Sequence, residues 1–201
     1  MKSLLAFLFA LLIACHFLSF SAANNLEFPA SEIIKKNMCD TTVKPSFQIQ
    51  EIQLSPMCVL TINDTAATSS AIGPLLGKYY GELFRFISGQ HLQPGRIMAF
   101  YYSSHEPFIF DAAVEVNKLP AELTNHIKSK RIEGGDAIVV HYQGAYDQIA
   151  VAYTAIGNWL QKNNKRAAEA PFEVYLNDPA TVKDPALLRT DVYQKINRMM
   201  H

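Results

Sequence analysis

Between residues 136 and 179 the hydrophobic period of the chain changes twice, from two to between three and four and back to two. Few folds accommodate that pattern, which reads as strand, turn, helix, strand. In the second strand, residues 172–176, alternation sends Phe172, Val174 and Leu176 to one face and Glu173 and Tyr175 to the other. A carboxylate therefore shares a strand face with an aromatic ring. The intervening helix, about residues 146–161, carries Ile149, Tyr153, Ile156 and Leu160 at three- and four-residue spacing. That stripe is expected to cover the Phe172/Val174/Leu176 face and to leave the Glu173 face for another purpose.

The rest of the chain repeats this grammar. Residues 47–62 favour strand, interrupted at Ser55-Pro56, and proline there implies a bulge or an edge. Residues 63–70 are polar and loop-like, and Asn63-Asp64-Thr65 is formally a glycosylation sequon. Gly73-Pro74 suits a helix start with proline at the first helical position, and Leu75, Leu76, Tyr79, Leu83, Phe86 and Ile87 follow at helical spacing up to Ser88-Gly89. Residues 97–102 and 108–116 have the run-turn-run layout of a hairpin. Residues 117–135 are polar, with one short helix expected near 121–128 and a break at Gly134-Gly135. After residues 137–142, the helix and residues 172–176, a last strand is expected over 187–196.

Strand-helix-strand-strand thus occurs twice, as an internal repeat of architecture more than of identity. The expected fold is α+β, two such units related by a pseudo-twofold, with antiparallel sheets framing a ligand groove. Sliding one half over the other sets Leu83 on Leu160 and residues 97–101 on 172–176. On that alignment Met98, Phe100 and Tyr102 share the groove with Glu173 and Tyr175.

The first 23 residues stand apart. Lys2 followed by the uncharged apolar run of residues 4–14, with Ser21-Ala22-Ala23 before Asn24, is the pattern of an export signal peptide. An alternative reading takes Leu12-Ile13-Ala14-Cys15 as a lipobox, which would anchor the protein through a lipidated Cys15. Residues 24–44 read as a tether and residues 45–197 as the folded domain. Removal of the signal leaves Cys39 and Cys58, and an exported protein with one remaining pair is expected to join them in a disulfide.

Composition narrows the function. The 201 residues are 49% hydrophobic, enough for one well-buried domain. Lys+Arg and Asp+Glu each number 18, so the basic stripe needed to neutralise nucleic-acid phosphates is missing. The histidines are scattered without ligand spacing, so no metal site is expected. No nucleophile elbow, phosphate loop or dinucleotide fingerprint occurs, so no cofactor is expected either.

Residues 134–146 (Gly-Gly-Asp-Ala-Ile-Val-Val-His-Tyr-Gln-Gly-Ala-Tyr), Asn158-Trp159-Leu160, Pro171-Phe172-Glu173-Val174-Tyr175 with Asp178-Pro179, and Leu188-Arg189-Thr190-Asp191-Val192-Tyr193 closely resemble the second half of GyrI-like domains. These are the small-molecule-binding domains also found as effector domains of multidrug-sensing regulators. The resemblance runs over about residues 47–196 and is strongest in the second half. It implies a groove whose buried glutamate corresponds to Glu173, for organic ligands, and in a subset of the family hydrolysis of strained cyclopropane-containing compounds.

Two function classes follow. In the first, an exported binding protein holds apolar, cationic organic ligands, with Glu173 as anionic anchor, Tyr102 and Tyr175 stacking on the ligand, Phe100 and Met98 as apolar wall and Trp159 near the rim. In the second, the same Glu173 is the catalytic base of a hydrolase acting on strained or electrophilic small molecules. A haem-binding reading of the tandem fold lacks a histidine in the groove, and lone His141 reads as structural.

Overall fold

The computed structural model describes residues 48–124 and 126–198. The expected export signal and tether, with Cys15 and Cys39, lie outside the described residues. Cys58 is described and is partly buried.

Eleven elements follow in order: β1 (Gln48–Leu54), β2 (Met57–Ala66), α1 (Ser69–Gly89), β3 (Pro94–Tyr101), β4 (Phe108–Val116), β5 (Lys128–Ile132), β6 (Gly135–Gln143), α2 (Ala150–Lys162), β7 (Lys165–Ala167), β8 (Phe172–Tyr175) and β9 (Arg189–Arg198). The strands form one antiparallel sheet in the order β1-β6-β9-β8-β3-β4-β2-β5, with β7 paired to β9. The two repeats meet where β3 pairs with β8 at the centre, so their sheets are continuous.

That order forces the sheet to curl. Leu54 and Met57 end β1 and begin β2, yet six strand spacings separate those strands in the sheet. A flat sheet would hold them about 29 Å apart at roughly 4.8 Å per strand, whereas three peptide links reach at most about 11 Å. The same constraint acts between Ile132 and Gly135, which join β5 to β6. Each repeat therefore lends its first strand to the other half, and the sheet closes into a half-barrel until the two links lie side by side. Gly134 sits at that crossing, where a Cβ would lie 2.6 Å from the Leu54 carbonyl oxygen.

Both helices lie on one side of the sheet. The apolar stripe of α1 buries Leu76, Tyr80, Leu83 and Ile87 against Leu60, Ile62, Phe110, Ala112 and Val114 of β2 and β4. Truncating the fully buried Leu83 to alanine would cost about 3 kcal/mol. The stripe of α2 buries Ala152 and Ile156 against Ile138 and Val140 of β6 and Val192 and Ile196 of β9. The other side of the sheet carries its own cluster, with Met57, Val59, Met98, Phe100, Ile132, Phe172 and Val174.

Several expectations require correction. Helix α1 begins at Ser69, five residues before Pro74, which sits inside the helix and gives up the amide bond it would otherwise donate to the Ser70 carbonyl. Strand β2 runs on to Ala66, through the expected loop. Residues 121–124 form no helix, and the following Lys-Ser-Lys-Arg-Ile is strand β5. Its polar sequence suits a sheet edge, where charge discourages further pairing. Helix α2 does not cover the Phe172/Val174 face: Val192, in its core, pairs with Glu173, so α2 packs on the Glu173 side. Leu176 lies beyond β8 and is exposed.

Candidate functional site

The cleft between the two helices lies over the central β3–β8 pair and is filled by side chains, and Glu173 stands there, buried, on the helix side. In antiparallel pairing, residues directly opposite point to the same face. Ala99 faces Glu173, while Met98 faces Val174 and Phe100 faces Phe172. The neighbours of Glu173 on β3 are therefore Ala99 and Tyr101, and Met98, Phe100 and Tyr102 belong to the opposite side. The expected alignment was one residue out of step. A twofold perpendicular to the sheet preserves its faces, so related positions on β3 and β8 differ by an even offset, and the expected offset of 75 is odd. With an offset of 74, Ala99 is related to Glu173 and Tyr101 to Tyr175.

Glu173 is 4% exposed, yet both carboxylate oxygens are satisfied. Tyr153 of α2 donates to Oε1 at 2.7 Å, and Tyr175 donates to Oε2 at 2.9 Å. The Tyr175 and Tyr101 hydroxyls lie 3.2 Å apart, so the related pair extends the network across the pseudo-twofold. Tyr146 meets Tyr175 edge to face at a centroid distance of 5.6 Å, and Tyr80 of α1 does so at 6.5 Å while donating to the Met98 carbonyl at 3.0 Å. Five tyrosines thus surround one carboxylate, contributed by α1, β3, the turn before α2, α2 and β8.

Burial dominates the electrostatics. It pushes the Glu173 carboxyl up to about 7, and the two tyrosine hydrogen bonds only partly oppose it. The tyrosines shift upward as well, first through burial and then through the Glu173 charge, Tyr146 to about 12. Near neutrality the site can hold either a proton or a negative charge, and a cation entering the aromatic ring of walls would favour the charged form. At the floor, on the face shared with Tyr175, the buried Thr190 hydroxyl has no hydrogen-bond partner among the described residues.

Of the residues expected in the groove, Glu173 and Tyr175 come together. Tyr102 is 44% exposed on the other side, its hydroxyl donating to Asp111 at 2.6 Å. Phe100 and Met98 are buried on that side. Trp159 packs at the edge of the α2 core. His141 bonds Asp191 through Nδ1 at 2.7 Å. Tyr80, Tyr101, Tyr146 and Tyr153 were missed as site residues. Tyr153 was visible as part of the α2 stripe, and a correct even offset would have found Tyr101. Among the described residues no group of three or more His, Cys, Asp or Glu could hold a metal ion, and no helix is long and apolar enough to cross a membrane.

Comparison with known proteins agrees with this fold. No curated protein matches the chain. Among solved structures, the EcmrR–DNA complex is similar with a TM-score of 0.69 at 17% identity, covering 76% of this chain and 58% of EcmrR. This chain therefore spans little more than half of that protein's length. The EcmrR C-terminal domain alone gives 0.63 at 17% identity, with 78% of this chain and 99% of that one covered. A hydrolase from Listeria innocua gives 0.53 at 10% (75% and 92% covered), and SAV2435 bound to tetraphenylphosphonium gives 0.52 at 11% (75% and 94% covered). At such identities the likeness is one of fold. The family model described as "GyrI-like small molecule binding domain" matches residues 47–196, and the chain belongs to the GyrI-like small-molecule-binding domain family.

Proposed function

We propose that this chain is an exported protein that holds apolar, cationic organic molecules between its two helices, with Glu173 as counter-charge. The observation that carries the reading is a buried carboxylate ringed by tyrosines and, among the described residues, capped by no lysine or arginine. Its surroundings supply negative charge and π-faces, which suit a delocalised cation better than a small, strongly hydrated one. The rings fill the space around Glu173, so a ligand enters by turning tyrosines aside. The fold shared with SAV2435, whose structure holds tetraphenylphosphonium, supports the choice of probe.

A thermal-shift screen of the mature chain with tetraphenylphosphonium and other lipophilic cations tests this. Stabilisation is expected for the natural protein and should fade in Glu173→Gln. Equal shifts in both would remove Glu173 from the site. The export component rests on residues 1–23 and carries the expectation of a Cys39–Cys58 disulfide. Thiol labelling of denatured, unreduced protein from its native compartment should find neither cysteine free, and two free thiols would defeat it.

A second reading draws on the Glu173 carboxyl near 7, which suits proton transfer at neutral pH. As a hydrolase of strained, cyclopropane-type or electrophilic molecules, the protein would lose about 10²–10⁴-fold in turnover on Glu173→Gln while keeping its affinity. Absence of product from a panel of such compounds would leave binding as the function.

A further inference from the structure

On the side of the sheet away from the helices, a depression of about 460 Å³ is lined by Phe100, Tyr102, Lys130, Arg131, Glu133, Glu169 and Ala170. That volume falls in the range of small-molecule sites, about 300–1,000 Å³. We propose that it is a second ligand site, separate from the Glu173 cleft, for a planar aromatic anion such as an aryl carboxylate.

The charges there are unevenly matched. Glu133 pairs with Arg131 at 3.2 Å, and Glu169 pairs with Lys195 at 2.5 Å. Both carboxylates of the lining are thereby neutralised. Lys130 has no carboxylate partner among the described residues; its ammonium sits 4.7 Å from the Phe100 ring centre and 6.0 Å from that of Tyr102. Lys130 faces this side because it pairs with Val59, a member of the apolar cluster beneath. A cation held over two rings, next to an open depression, can meet an incoming anion directly, while the nearby Asp111 carboxylate is engaged by the Tyr102 hydroxyl and the Asn63 amide.

The aromatic wall is fixed in advance. The Tyr102 hydroxyl donates to Asp111 Oδ2 at 2.6 Å, and Asn63 donates to Asp111 Oδ1 at 2.8 Å and to the Phe110 carbonyl at 3.1 Å. This chain of bonds holds the half-exposed Tyr102 ring upright, so stacking on it costs little ordering. An aryl carboxylate would lay its ring on Tyr102 and its charge against Lys130. The site lies on the opposite face from Glu173, and its existence does not depend on what the cleft binds.

The test is titration of the mature protein with 2-naphthoate, followed by calorimetry and amide NMR. Saturable binding is expected, with shifts at Tyr102, Lys130 and Ala170 and none at Tyr153, Glu173 or Tyr175. Lys130→Met keeps an unbranched stem over Phe100 and removes the charge; for a half-buried pair, between the exposed and fully buried limits, affinity should fall roughly tenfold. Tyr102→Leu should weaken binding while leaving the charge in place, and the uncharged 2-naphthamide should bind the natural protein more weakly than the acid. Raising the salt concentration should weaken the acid alone. Equal affinity of Lys130→Met and the natural protein, shifts confined to the Glu173 cleft, or no saturation at millimolar ligand would each overturn the proposal. Unchanged unfolding temperature in Lys130→Met separates lost binding from lost folding.

Discussion

The two halves of this molecule place different chemistry at one equivalent position. Ala99 of β3 and Glu173 of β8 pair directly and are related by the pseudo-twofold, yet one is a methyl group and the other a carboxylate. The flanking pair, Tyr101 and Tyr175, keeps its identity across the axis and joins hydroxyl to hydroxyl. The repeat thus supplies a symmetric aromatic frame, and one asymmetric substitution turns it into a site with a single charge. Alanine on the opposing strand is what permits this, because it leaves room beside Glu173 and adds no second charge.

Restoring symmetry should have the largest effect. Ala99→Glu would set a second carboxylate against Glu173 in the same buried cleft, and the uncompensated charge is expected to cost about 3 kcal/mol or more at pH 8. The cost should shrink at pH 5, where one of the two holds a proton. Thermal unfolding at both pH values checks it, and a pH-independent loss would mean overpacking instead of charge.

Removing the asymmetry from the other side comes next. Because burial raises the Glu173 carboxyl from 4.5 to about 7, the folded protein keeps a proton that the unfolded chain releases between those values. The stability this lends is complete below pH 4.5, is lost as pH rises through about 7, and stays lost above it. The loss amounts to about 3 kcal/mol. Glu173→Gln should therefore be the more stable protein at pH 8 and show a flat profile across that window, as read from unfolding midpoints in urea at stepped pH. A natural protein that is equally flat would contradict the buried position of the carboxyl.

A smaller contrast separates the two tyrosine bonds. Tyr153→Phe removes a donor from the charged carboxylate and should cost about 2 kcal/mol at pH 8, whereas Tyr101→Phe removes a bond between neutral hydroxyls and should cost about 1 kcal/mol. Double-mutant unfolding measurements would sharpen the order, and a larger effect for Tyr101→Phe would reverse it.

Much of this was legible in the sequence, and the failures are physical. Strands β4, β6 and β8, both helices and the tandem repeat follow from hydrophobic period, because each element buries a regular stripe or face. Strand β5 escaped notice because an edge strand with lysines and arginine has little apolar signature. The side of β8 that α2 covers could not be read from alternation, since a central strand is buried on both faces and either one could meet a helix. Glu173 and Tyr175 were found together because residues two apart on a strand share a face whatever pairs with it. The β3 contribution was displaced by one residue, and in a sheet a one-residue slip moves every side chain to the opposite side. Tyr102, Phe100 and Met98 consequently lie across the sheet from Glu173.

On the proposed function, Glu173 must be charged to hold a cation. Isothermal titration of the phosphonium probe in buffers of differing ionisation enthalpy tests it most directly, because a carboxyl near 7 must shed its proton when the cation arrives. Binding should release nearly one proton at pH 6 and almost none at pH 9, with the weaker affinity at pH 6, and Glu173→Gln should abolish the release. Binding of undiminished strength in Glu173→Gln, or proton release that does not vary between the two pH values, would contradict the account.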